Sequence, residues 1–248
     1  MQNSIEQAVL RAIETMHEHL GEQLTIDDLA QAAIFSKFHF SRVFQRVTGL
    51  SPGRFLSAIR IQEAKRQLAS TSLPVTEISV RVGYSSVGTF SSRFKHSVGV
   101  SPTRYRQLDR VTPQAQLRRH TTAGTAAVRG SIMAPGPDRP VFAGLFPDRI
   151  MQGRPVRWTV LRSPGPFMLS DVPLGAWHLL AHATSLAQDA DDFTLLDESL
   201  YVANHGPIVI RPDTGACVAD LELRPIGRLD PPVLLALRDL HGVATAQD

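Results

Sequence analysis

The residues best suited to chemistry are long donors and small hydroxyls carried on two short helical stretches. On a helical wheel of residues 37–48, Phe38, Arg42 and Gln45 fall on one side, flanked by Ser41 and Arg46. Arg can donate to O6 and N7 of a guanine together, and an aromatic ring packs on a thymine methyl. In residues 86–98 the corresponding side carries Gly88, Ser92 and Lys95, flanked by Ser91 and His96. These limbs are short: they allow close approach to a duplex but offer few long base-reading groups. Arg54, Arg60, Arg104 and Arg106 lie just beyond the two stretches, where phosphates would pass. The chemistry is recognition by hydrogen bonds and charge, with no bond made or broken.

Other chemistries lack their constellations. Gly49-Leu50-Ser51-Pro52-Gly53 spells Gly-x-Ser-x-Gly, but it joins two expected helices where a nucleophile elbow joins a strand to a helix, and there is no phosphate-binding Gly loop. His178 and His182 stand four apart on an expected strand, and with His205 and Cys217 they match no zinc spacing. Asp189, Asp191 and Asp192 lack the Gly and terminal Glu of a calcium loop. The expectation is a non-enzyme with no catalytic residue, no metal and no cofactor.

What must position the two polar faces is a duplicated helical unit. Phe40-Ser41-Arg42-Val43-Phe44 is followed by Gly49-Leu50-Ser51-Pro52 and Phe55, and Phe90-Ser91-Ser92-Arg93-Phe94 by Gly99-Val100-Ser101-Pro102 and Tyr105, at a constant offset of 50. Aromatics four apart mark the buried side. A Gly ends each helix, and Ser-Pro opens the next. In the second copy Arg93 is expected to be partly buried with Phe90 and Phe94.

Each copy is preceded by a short helix and a tight turn, which completes a helix-turn-helix. The first runs from a Thr25 cap through Ile26–Ala33, with Ser36 capping the next helix. The second runs Val75–Val82, with Gly83-Tyr84 as the turn and Ser85 as the cap. An amphipathic helix over 4–20, with Ile5, Val9, Ile13, Met16 and Leu20 as its apolar stripe, precedes both. A long helix from Pro52 to about Ala69 joins the copies.

The chain has 248 residues and a net charge of +3. Residues 1–110 hold 14 Lys+Arg against 9 Asp+Glu, and all three lysines, Lys37, Lys65 and Lys95. The half with the duplication is thus the basic half, as contact with a polyanion requires. One cysteine, Cys217, excludes an internal disulfide framework and fits a reducing, cytoplasmic setting. No stretch approaches the ~18 apolar residues of a membrane span, and no secretory signal is evident.

Beyond Arg110 the composition changes. Residues 111–126, which include Arg118-Arg119-His120, are expected to be a linker. Residues 127–248 carry Pro and Gly between short β-rich runs: Val128–Met133, Val141–Phe146, Val156–Leu161, Phe167–Leu169, Trp177–His182, Ser199–Val202, Pro207–Ile210 and Cys217–Leu223. The expected fold is therefore multidomain: an all-α domain over 1–110, then an all-β sandwich closed by a short helix, Val233 to Leu240.

The quoted motifs, with Gly83-Tyr84-Ser85 and Thr103-Arg104-Tyr105-Arg106, resemble the AraC/XylS family of bacterial transcription regulators over roughly residues 5–108. The resemblance implies seven helices and two reading heads on adjacent major-groove sites of double-stranded DNA, about one turn, ~34 Å, apart. By matching position the family's base contacts fall on Phe38, Ser41 and Arg42, and on Val87, Gly88, Ser91 and Ser92. With the two wheels, the base-contacting set is Lys37, Phe38, Ser41, Arg42, Gln45, Arg46, Val87, Gly88, Ser91 and Ser92. The phosphate set is Arg54, Arg60, Lys95, His96, Arg104 and Arg106. Ile34 stands in the first turn where the family commonly has Gly, and Ser92 where it often has Arg.

Phe167-Met168-Leu169-Ser170-Asp171-Val172-Pro173-Leu174-Gly175-Ala176-Trp177-His178-Leu179 is similar to the Val-Pro-x-Gly turn and aromatic strand of transthyretin-like or carboxypeptidase-regulatory-like sandwiches. Such a domain implies sensing of a small-molecule effector, homodimerisation or partner contact, with RNA polymerase a further candidate partner. The leading expectation is a sequence-specific transcription regulator. The alternatives are an architectural protein without sequence preference and an enzyme in the sandwich tethered to a DNA-binding head.

Overall fold

The computed structural model describes residues 2–107, 126–136, 139–184 and 200–235. The expected linker up to residue 125 and the Asp189–Asp192 loop lie outside these residues, as does the part of the expected C-terminal helix beyond Leu235, whereas Ala126 already belongs to a strand. The chain forms two compact units, Met1–Gln107 with Gly227–Leu235, and Leu108–Ile226 with Ala236–Asp248.

The first unit contains α1 (Gln2–Glu18), α2 (Ile26–Ala32), α3 (Lys37–Thr48), α4 (Pro52–Ser70), α5 (Val75–Arg81), α6 (Val87–Val98) and α7 (Pro102–Arg106). On α1, Val9, Ile13 and Met16 are buried, as their spacing requires, while Ile5 and Leu20 are only half-buried. Thr25 and Asp28 form a reciprocal cap: Asp28 N–H donates to Thr25 Oγ1 at 3.2 Å, and Thr25 N–H to Asp28 Oδ2 at 2.8 Å. The Thr25 N–H, together with the Thr25 hydroxyl that donates to the same Oδ2 at 2.7 Å, holds the Asp28 carboxyl below its ordinary pKa.

The two copies share one packing chain. Phe40 meets Phe44 edge-on at 5.4 Å, and Phe44 meets Phe55 likewise. Fifty residues on, Phe90 lies 5.7 Å from Phe94, and Phe94 lies 5.6 Å from Tyr105. Gly49 and Gly99, at φ 79° and 95°, take the left-handed conformation that ends α3 and α6.

The second helix is capped one residue later than expected. Ser86, not Ser85, accepts the Thr89 N–H, and α6 starts at Val87. Offset 50 also aligns Ser86 with Ser36, whereas counting from the turn selects Ser85.

The second unit contains β1 (Ala126–Met133), β2 (Val141–Phe146), β3 (Arg157–Leu161), β4 (Pro166–Val172), β5 (Gly175–Thr184), β6 (Leu200–Ile210), β7 (Ala216–Val218), β8 (Leu221–Glu222) and β9 (Arg224–Pro225). One sheet runs β4-β1-β7, with β8 also on β1, and the other β3-β2-β5-β6-β9. Pairing is antiparallel except that β7 and β8 run parallel to β1. One apolar cluster, including Val128, Leu169, Leu145, Leu179 and Ile208, draws on both sheets.

Two of the expected strands are one. From Leu200 on, the expected Ser199–Val202 strand runs into Pro207–Ile210 as the single β6, and Gly206-Pro207, which resembles turn punctuation, is a bulge. Between the pairs Trp177↔Ile208 and Leu179↔His205, His178 alone stands opposite Gly206 and Pro207. The expected Cys217–Leu223 strand is instead broken between β7 and β8 at Ala219-Asp220. There Asp220 Oδ1 accepts the Ser131 N–H at 2.8 Å. A Cβ on Gly130 would meet the Ala219 carbonyl oxygen at 2.1 Å, so the close approach requires glycine.

The expected C-terminal helix does not begin at Val233. Residues 231–235 are irregular and lie with the helical unit. Pro231-Pro232 can open a helix, but the carbonyls of Val233 and Leu235 accept from Lys65 instead.

Candidate nucleic-acid interface

On α3 the core side is Phe40, Val43, Phe44 and Thr48, all buried. The opposite side leaves Phe38 82% exposed, with Arg42, Gln45 and Arg46 also exposed. A phenyl ring left in water forgoes roughly 2 kcal/mol relative to burial. Ser41 is half-buried and donates its hydroxyl to Lys37 O at 2.9 Å. Lys37 is drawn toward α2, its Nζ 2.8 Å from Asp27 Oδ2. Phe35 stacks on His39 at 4.7 Å, which stiffens the turn into α3.

On α6 the core side is Phe90, Phe94, Ser97 and Val98. Gly88, Ser92, Lys95 and His96 are exposed, while Val87 and Ser91 are half-buried. Arg93 is exposed, contrary to the expected partial burial. Its counterpart Val43 is 4% exposed. A guanidinium does not enter an apolar pocket without a partner, and comparing the two copies position by position would have shown this.

The expected phosphate set divides. Arg54, Lys95, His96 and Arg104 are exposed on the helical unit. Arg60 and Arg106 hold the fold together. Arg60 donates Nε to Leu20 O at 3.1 Å and Nη2 to Glu22 O at 2.6 Å, capping the carbonyl end that follows α1. Burial lowers its pKa from the ordinary value, against a smaller opposing effect of Tyr84. Arg106 donates to Leu73 O in the chain between α4 and α5. Arg11 does the same for the carbonyls of Ala32 and Ala33 after α2, at 3.3 and 3.5 Å.

The turns before α3 and α6 share one geometry. Ile34 N–H donates to Gln31 O and Phe35 N–H to Ala30 O, and Gly83 N–H and Tyr84 N–H bond Val80 O and Ser79 O. The pivot is left-handed in both, with φ 59° at Ile34 and 81° at Gly83. Among the described residues, no group of three His, Cys, Asp or Glu could hold a metal, and no helix is long and apolar enough to cross a membrane.

Paired helix-turn-helix units with exposed polar and basic faces define a DNA-binding class. A sequence-family profile described as a helix-turn-helix domain matches residues 29–108. The HTH-type transcriptional activator AarP of Providencia stuartii is 36% identical over 108 residues, 44% of this chain and 78% of that protein. The chain belongs to the AraC-type helix-turn-helix transcription regulators. An uncharacterized HTH-type transcriptional regulator of Haemophilus influenzae is 35% identical over 115 residues, 43% of this chain but only 39% of the relative. Among solved structures, the DNA-binding domain of AdpA in complex with a target DNA is 31% identical, with a TM-score of 0.40 over 41% of this chain and 92% of that one.

Proposed function

We propose that this protein is a cytoplasmic, sequence-specific transcription regulator whose α3 and α6 occupy two adjacent major-groove sites. The observation that carries the proposal is the exposed Phe38, Arg42, Gln45 and Arg46 face, set on an aromatic packing chain that recurs under α6. Base contacts fall to that face with Lys37 and Ser41, and to Val87, Gly88, Ser91 and Ser92. Phosphate contacts fall to Arg54, Lys95, His96 and Arg104, since Arg60 and Arg106 serve the fold. The 19 residues of α4 supply roughly 28 Å of rigid spacer at 1.5 Å per residue, in keeping with heads about one turn apart. The β unit is a transthyretin-like sandwich that senses an effector or pairs with a second copy, and it performs no catalysis.

Selection from a randomised DNA pool, followed by competition with unlabelled random DNA, tests specificity. Enrichment of a two-part motif is expected. A flat pool, with competitor as effective as the selected site, would leave only an architectural DNA-binding role.

A further inference from the structure

Residues Gly227–Leu235 follow the last strand of the β unit directly, yet they belong to the helical unit. A small turn begins the segment: Gly227 N–H donates to Asp230 Oδ2 at 2.7 Å, and Asp230 N–H to Gly227 O at 2.9 Å. Arg228 Nη2 then lies 2.6 Å from Glu14 Oε1 on α1. Lys65 on α4 donates its Nζ to the carbonyls of Val233 and Leu235 at 2.9 and 3.4 Å. Leu234 and Leu235 are 0% and 6% exposed. Buried leucines, an ion pair and a lysine that satisfies two backbone carbonyls make a seated segment, not a surface tail.

We propose that the α1–α4 face of the helical unit is a docking surface for residues 227–235, which act as a latch. The latch gives the second half of the chain a non-covalent hold on the helical unit, besides the covalent connection through 108–125. It lies outside residues 29–108, the stretch that matches the family profile. Ile226 N–H donates to Leu200 O, and β9 pairs with Tyr201 and Val202 of β6.

The test uses the full chain with a protease site placed within residues 108–125. After cleavage, with folding checked by circular dichroism, the two pieces should co-elute in size-exclusion chromatography. Leu234→Asp combined with Lys65→Ala should separate them. As a milder variant, Arg228→Glu sets like charge against Glu14; it should weaken retention at least several-fold, and adding Glu14→Arg should restore it. Wild-type pieces that separate on cleavage overturn the latch. So do pieces of the double variant that stay together, and, should the double variant misfold, an Arg228→Glu protein retained as tightly as wild type.

Discussion

Arg60 passes directly beneath Gly83: a Cβ on Gly83 would lie 2.7 Å from Arg60 Nη2 and 2.6 Å from the Leu20 carbonyl oxygen. One guanidinium on α4 thus fixes the end of α1 and the turn of the second head together. Hydrogen bonds from a charged donor contribute about 1.5–3 kcal/mol, and the partial exposure of Arg60 points to the lower part of that range. Arg60→Ala should lower unfolding stability in urea by about 1.5–2 kcal/mol. The salt dependence of DNA binding should keep its slope, since no phosphate contact is lost. A flattened slope at unchanged stability would return Arg60 to the phosphate set.

Ile34 holds a left-handed backbone, φ 59°, and is 79% exposed. A β-branched residue there is strained by roughly 1–2 kcal/mol, and so exposed a side chain returns little packing. Glycine removes the strain but gives back part of the gain through the freedom of its unfolded chain. Ile34→Gly should therefore raise stability by about 1 kcal/mol, seen as a higher melting temperature. A lower one would show that the side chain packs on something.

The heads should be unequal. Arg42→Ala should lose about 1–3 kcal/mol of discrimination, roughly 5- to 150-fold, and relax preference at one or two positions of one half-site. Ser92→Ala should change little, because water readily replaces a hydroxyl contact. Lys95→Ala or Arg104→Ala should weaken binding to all sequences alike and flatten the salt dependence. Pool selection with each variant decides among these. An Arg42→Ala protein that keeps the wild-type motif and affinity would remove that residue from the base-reading face.

Burial pushes the His178 imidazole below its ordinary pKa of 6.5, with Arg149 adding to the effect and Asp148 opposing it. The folded β unit therefore resists a proton that the unfolded chain accepts. Stability from this group is fully present above about pH 6.5 and declines as pH falls below it. Melting curves between pH 7.5 and 5 should show a shallower acid decline for His178→Gln than for wild type. Parallel declines would assign the effect to other groups.

Much of the helical unit was legible because its signals are local. Aromatics four apart, a Gly and then Ser-Pro fix helix ends and the buried side without any distant partner, and repetition at offset 50 places the aromatics and the helix-ending glycines of the two copies in register, though not the Ser85 cap or Arg93. The polar face of α3 followed from the same wheel. The destinations of long cations were not legible: Arg60 and Arg106 stand among other arginines in the sequence, and only tertiary approach brings Leu20 and Leu73 carbonyls within their reach. In the β unit, apolar runs located the strands, but Gly206-Pro207 has the composition of a turn whether it ends a strand or bulges it. The bonds from Lys65 to the Val233 and Leu235 carbonyls join positions more than 150 residues apart in the chain.

The parallel pairing of β1 with β7 and β8 joins Val128 to Cys217 and Ile132 to Leu221. During synthesis, β1 leaves the ribosome with no partner on that side until almost ninety further residues have been made, several seconds or more at ~5–20 residues per second. The helical unit suffers no such wait, since its contacts are short in sequence apart from the segment after Ile226. A nascent chain should therefore carry a folded head while the open edge of β1 is still a site for mispairing. Slower translation across residues 134–215 would lengthen that exposure, so yield in a host cell depends on how quickly this interval is crossed.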